Sequence, residues 1–214
     1  NQYKLSEFFD SQKTYFLPYL FDYTNEYKRR VKDNKINIGF VADRPFEDKR
    51  KNLKYTIDLL NSLPKSLTKK ITLNIAGKIN NFPKVNYRFK IKYFNFMSQL
   101  ELKKFYKQNN FIFSFSFLEN SSLVVLESLF SGTPVVTLKN TGPETLVKKI
   151  KPELVLKTFE KSSAINEIQN ILKFKLNQKI KYNKIYNNPL IYKKYINIYK
   201  HNVPIKKTKI NVLH

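Results

Sequence analysis

A chain of 214 residues is long enough to bury one sizeable core and fits a single domain. It has no cysteine, which excludes a disulfide framework and a thiolate metal site, and two histidines, His201 and His214, are too few for a zinc cluster. The net charge of +24 is carried mostly by lysine, and arginine, the preferred residue for phosphate and base recognition, occurs only five times. Nucleic-acid binding is therefore the weaker reading beside compositional drift toward Lys, Asn, Ile, Phe and Tyr. No apolar run approaches the length of a transmembrane helix.

Residues 1–34 are aromatic and charged, with an extended segment expected at Tyr15–Leu20 and a basic patch at Lys28-Arg29-Arg30. They read as a linker or remnant preceding the domain. The first residue is Asn rather than Met, so the sequence reads as an excised piece of a longer protein. Lys35 to Val41, KINIGFV, is the first predicted strand. A charged loop containing Arg44, Lys49 and Arg50 follows, then a helix from about Lys51 to Leu63 with Leu53, Ile57 and Leu60 at helical spacing. Such a loop serves equally as a solvated surface or as an anion site.

Ile71 to Ala76 alternates as a strand does and ends at Gly77. Val85 to Phe94 holds one or two short strands, and Ser98 caps a helix built on Leu100, Leu102 and Tyr106. Between them, Phe96 reads on its own as a core phenylalanine.

Phe111 to Leu138, FIFSFSFLENSSLVVLESLFSGTPVVTL, organises the rest. Phe111, Phe113, Phe115 and Phe117 recur every second residue, giving a strand with one bulky face. Glu119-Asn120-Ser121-Ser122 breaks it and ends in hydroxyls suited to an N-cap. Leu123 to Phe130 reads as a helix, Ser131-Gly132 stops it, and Val135 to Leu138 is the next strand. Strand, turn, helix and strand make a βαβ unit, hence a parallel sheet with ligands expected beyond its carboxyl ends. The turn's free N–H groups at a helix start suit a phosphate. On spacing alone, Glu127 falls with Ser128 and Ser131 on the less apolar side and reads as a solvated glutamate.

Thr141-Gly142-Pro143-Glu144 marks a further turn, Leu154 to Leu156 a last short strand, and Ile165, Ile168, Ile171 and Leu172 a helix. Tyr192, Tyr195, Ile196 and Tyr199 mark another helix after Pro189, and residues 201–214 form a basic tail. The many lysines of this half face either an anionic membrane surface or water, with their stems along ordinary helices.

ENSSLVVLE followed by SGTPVV resembles the signature of the retaining nucleotide-sugar glycosyltransferases of the group 1 family (family 4, GT-B fold). Ser116 stands where that family has the serine of a Pro-Ser pair, while Phe115 replaces the proline and Asn120 and Ser122 replace two glycines. The resemblance spans roughly Lys35 to Tyr199 and implies an α/β fold: a Rossmann-like doubly wound parallel sheet, one half of a GT-B fold, over residues 35–200. It implies transfer of a sugar from a UDP- or GDP-linked donor to a glycan or lipid-linked acceptor with retention, in polysaccharide or glycolipid synthesis.

By the same resemblance, Glu119 holds the sugar hydroxyls and Glu127 the ribose hydroxyls. Arg44 and Lys51 meet the diphosphate, because Lys51-Asn52-Leu53 fits a Lys-Asn/Gly-hydrophobic pattern; Lys49 or Arg50 could take one of these roles. The backbone at Asn120, Ser121, Ser122 and Leu123 completes the donor site, and Phe96 is a candidate wall of the base pocket. Neither a metal nor a cofactor is implied, since no Asp-x-Asp motif occurs. An N-terminal acceptor domain or a separate subunit is the implied partner, and the implied location is cytoplasmic, peripheral on the inner face of the membrane. A non-catalytic nucleotide-sugar-binding or scaffold subunit is the alternative.

Overall fold

The computed structural model describes residues 35–79, 87–119, 122–139, 141–173, 190, 192–193 and 195–197. Among the described residues, six strands form one sheet: β1 (Ile36–Val41), β2 (Ile71–Ala76), β3 (Lys90–Phe94), β4 (Phe111–Ser114), β5 (Val135–Leu138) and β6 (Val155–Leu156). Their order is β3-β2-β1-β4-β5-β6, and every neighbouring pair is parallel. From β1 the chain builds outward to β3, then crosses back and builds the other way from β4. The order therefore reverses between β1 and β4, which opens a crevice at their carboxyl ends.

The helices are α1 (Leu53–Asn61), the single turn α2 (Lys65–Thr68), α3 (Gln99–Gln108), α4 (Leu123–Phe130), α5 (Glu144–Ile150) and α6 (Lys161–Lys173). α1 packs against α6 and α3 against α4. Every residue of β4 and β5 is buried, as expected of parallel strands covered on both faces. Both faces are covered, Ile112, Ser114 and Ser116 being buried along with Phe111, Phe113 and Phe115, whereas Phe117 is 50% exposed. The strand is also shorter than expected. The ladder to β5 ends at Ser114 opposite Thr137, and Phe115 leaves it to pack edge-on against Tyr55 of α1, ring centroids 5.7 Å apart.

Local sequence explains the ends of the elements. Ser98 and Glu101 form a reciprocal capping box at the start of α3. Glu160 accepts from the backbone N–H groups of Ser162 and Ser163 at 2.9 and 2.7 Å, satisfying donors that the first turn of α6 leaves free. Gly132, at φ 79°, turns the chain after α4. A buried polar contact links β2 to the end of α3: Asn74 donates to the Asn109 side chain at 2.7 Å, and Asn109 donates in turn to the Phe105 carbonyl.

These elements belong to one compact unit, Thr24–Ile185. A second unit combines Asn1–Tyr23 with Tyr186–His214, and its described residues 190, 192–193 and 195–197 are helical. Tyr192, Tyr195 and Ile196 are thus helical as expected, while Tyr199, residues 1–34 and the tail 201–214 lie outside the described residues. Among the described residues, no helix is long and apolar enough to cross a membrane.

Candidate functional site

Three loops meet at the carboxyl edge of the sheet beside the crevice. The loop after β1 ends in a 3-10 turn, Lys49–Lys51, capped by Asp48, and then Asn52 adopts a left-handed conformation at φ 61°, ψ 40°. α1 therefore begins at Leu53 rather than at Lys51 as predicted, which leaves Lys51 on the loop. The Asn52 side chain donates to the Phe115 carbonyl at 3.3 Å, and the Phe117 N–H donates to the Arg50 carbonyl at 3.0 Å. These two bonds bracket Lys51 and fasten the β1 loop to the exit of β4. Between them the Lys51 ammonium donates to a Glu119 carboxylate oxygen. The Gly142 N–H, from the loop after β5, donates to the Glu119 carbonyl at 2.9 Å and fixes the third loop.

Asn52 is the hinge of this arrangement, and its geometry gives a test. Alanine would lose the bond to Phe115 and sit in a region that a Cβ disfavours, whereas glycine would lose only the bond. The Asn52→Ala variant is expected to be less stable than Asn52→Gly by about 1 kcal/mol, read by urea titration. The reverse order would show that the left-handed turn is not what holds the loop.

The second part of the site lies along α4. Ser122 caps it, its Oγ accepting from the Val125 N–H at 3.4 Å. Glu127, one turn further on, accepts from the Tyr106 hydroxyl of α3 at 2.6 Å. Burial pushes the Glu127 carboxyl above its ordinary value of 4.5, and the Tyr106 hydrogen bond pulls it back only in part. The solvated reading of Glu127 is thereby corrected. Ser128 and Ser131 are buried too, with Ser128 donating to the Thr133 carbonyl at 2.9 Å, so the polar stripe of α4 faces protein.

The other expected residues divide. Arg44 stays with Asp43 and Glu47, at 3.9 and 3.7 Å, and its side chain is 60% exposed. Arg50 is held by Asp48 at 2.9 Å. Of the four basic candidates in this loop, Lys51 is the one bonded to Glu119, and both members of that pair are mostly buried, at 23% and 16% exposure. Phe96 is 70% exposed, which corrects its core reading, and the Lys78 ammonium sits 5.8 Å from its ring centroid. Glu144 lies in the first turn of α5. Asn120 and Ser121 lie outside the described residues.

Asn52, as a loop fastener, and Tyr106, as the partner of Glu127, were missed. For Asn52 a signal existed, since asparagine tolerates the left-handed region that ends a turn before a helix. For Tyr106 none did: helical spacing gives core tyrosines and hydrogen-bonding tyrosines the same pattern. Chemically, the crevice offers a cation, a helix N-terminus suited to an anion, and two carboxylates able to accept from hydroxyls.

A family model described as "Glycosyl transferases group 1" matches residues 25–188. None of the curated proteins matches the chain. Among solved structures, WaaG, a glycosyltransferase involved in lipopolysaccharide biosynthesis, is similar with a TM-score of 0.62 at 17% identity, over 78% of this chain and 47% of that one. TarM of S. aureus, in complex with UDP among other ligands, gives 0.70 at 12% identity over 92% of this chain and 42% of that one. HepE of Anabaena, in complex with UDP and glucose, gives 0.60 at 14% identity over 78% and 48%. The chain thus spans about half the length of these three structures.

Proposed function

The chain belongs to the group 1 glycosyltransferases, and from that premise we propose that it is the donor-binding domain of a retaining, family 4 enzyme. The observation that carries this reading is the Lys51–Glu119 pair at the β1/β4 crevice, with α4 and Glu127 beginning from the same loop. In the reaction, the bond from the anomeric carbon to the diphosphate oxygen breaks through an oxocarbenium-like state. An acceptor oxygen bonds to that carbon from the same face, and its proton passes to the departing phosphate oxygen. Lys51 and the N–H groups opening α4 stabilise the charge gathering on the diphosphate. Glu119 holds the sugar hydroxyls and Glu127 the ribose hydroxyls. Phe96 and Lys78 border the base from the exits of β3 and β2. Arg44 is long enough to join the diphosphate by leaving its exposed carboxylate partners, a pairing that is weak at such exposure.

Because the chain spans about half the length of its structural neighbours, turnover requires an acceptor-binding domain or subunit. UDP heads the candidate donors, since TarM and HepE both hold it. The acceptor class is a glycan or lipid-linked glycan, in line with the lipopolysaccharide role of WaaG.

Thermal melting with UDP, GDP, ADP and their sugar conjugates at millimolar concentration tests the reading. Ligand at about 100 times its dissociation constant adds roughly 2.7 kcal/mol, raising Tm by roughly 5–10 °C for a chain of this size. A shift with one nucleotide family names the base. A folded sample that shifts with none of them would overturn the donor-site assignment.

A further inference from the structure

We propose that the Lys51–Glu119 pair makes the site discriminate an intact nucleotide sugar from the free nucleotide diphosphate, so that the spent donor is held less tightly than the fresh one. The proposal rests on the donor-site reading above and adds a coupling between two of its residues.

Without ligand, the cation assigned to the diphosphate is bonded to the carboxylate assigned to the sugar. Neither group is well solvated, the exposures being 23% and 16%, so separating them without replacement leaves an uncompensated charge in a poorly hydrated place. The backbone on both sides is fastened: Asn52 to the Phe115 carbonyl, Phe117 to the Arg50 carbonyl and Gly142 to the Glu119 carbonyl. Ligand binding is then met by rotation of the two side chains rather than by retreat of the loops. Arg50, the neighbouring cation, is engaged in two hydrogen bonds with Asp48 at 2.9 Å, while the hydrogen bond to Glu119 comes from Lys51.

The two ligands differ in what they return for the broken pair. A free nucleotide diphosphate offers an anion to Lys51 and nothing to Glu119, whose carboxylate is left beside a second negative group. A nucleotide sugar offers the same anion to Lys51 and hydroxyl donors to Glu119, so both partners are replaced at once. The sugar and diphosphate contributions are therefore coupled through the ion pair, and an intact donor is favoured by more than its hydroxyl contacts alone would give.

Calorimetric titration of the chain with UDP and UDP-glucose, and with GDP and GDP-mannose, tests this in four proteins: wild type, Glu119→Gln, Lys51→Gln and the double variant. The wild type is expected to prefer the sugar conjugate by about tenfold, the worth of charge-assisted hydrogen bonds at a partly buried site. Glu119→Gln should raise the affinity for the free nucleotide several-fold and shrink the preference. In the Lys51→Gln background the same change should give a clearly smaller gain, because only the repulsion between carboxylate and diphosphate is left to relieve.

A Glu119→Gln variant that keeps the full preference, or binds the free nucleotide more weakly, overturns the proposal. So does an equal gain in the Lys51→Gln background, which would mean plain charge repulsion acting without the pair. A wild type that binds no member of the panel removes the donor-site reading itself, and the coupling with it. Melting curves establish that each variant is folded. Should glutamine at position 119 unfold the chain, Glu119→Asp, whose shorter carboxylate also breaks the pair, must move free-nucleotide affinity in the same direction.

Discussion

A Gly77→Ala variant is expected to lose about 3 kcal/mol of stability and roughly 6–12 °C in Tm, measured by urea and thermal unfolding. Gly77 follows β2 at φ 147°, a backbone region that side chains rarely occupy. A Cβ there would press into the carbonyl oxygen of Ala42 and come within 2.8 Å of Pro45 Cδ and 3.0 Å of the Asp43 carbonyl oxygen. Backbone cannot give way as a flexible side chain can, so either the β1 loop moves or the strain remains. The β1 loop is the segment that carries Lys51, and the neighbouring Lys78 N–H donates to the Asp43 carbonyl at 2.7 Å. Nucleotide affinity should therefore fall along with stability, even though Gly77 itself lies outside the Lys51–Glu119 pair. A loss below about 1 kcal/mol would show that the loop relaxes freely and that the close approach is incidental.

The second large effect concerns Glu127. If its carboxylate receives the ribose hydroxyls, Glu127→Ala removes charge-assisted hydrogen bonds and should weaken nucleotide binding by about tenfold to a hundredfold. Glu127→Gln and Tyr106→Phe make the more informative pair, because each keeps the local volume. Burial raises the Glu127 carboxyl above 4.5, and the Tyr106 hydrogen bond opposes that rise. Since the ionised form accepts from the ribose, affinity should fall as the pH is lowered through this raised value. The fall should vanish in Glu127→Gln. In Tyr106→Phe it should begin at a higher pH, because the interaction that favours the ionised form has been removed.

Stability has the opposite sign. A carboxyl whose pKa is raised on folding contributes stability that is fully present below its unfolded value and is lost as pH rises through the folded one. Relative to wild type, Glu127→Gln should therefore gain stability between acid and neutral pH while binding nucleotide less well. Parallel loss of stability and binding at neutral pH would mean that Glu127 is a structural residue.

Much of the fold was legible locally. The period of two in ITLNIA and FIFSF, the capping serines Ser98 and Ser122, and the stop at Ser131-Gly132 each depend on residues a few positions apart. Backbone preference and side-chain alternation act at that range, so the βαβ unit and the parallel sheet followed from the sequence by itself. The family pattern ENSSLVVLE…SGTPVV likewise lies within one short stretch. The pairings that make the site are of another kind. Lys51 meets Glu119 across 68 positions, Asn52 meets Phe115 across 63, and Tyr106 meets Glu127 across 21. Which of the four basic residues after β1 turns toward the crevice depended on a left-handed asparagine and on Asp48 holding Arg50. Whether Glu127 faced water or protein depended on α3 packing beside α4, and Phe96 stood exposed because the exit of β3 lies at the sheet edge. A helix or strand is favoured by its own residues, but a bond between distant residues forms only once the strand order β3-β2-β1-β4-β5-β6 has brought their loops to one edge.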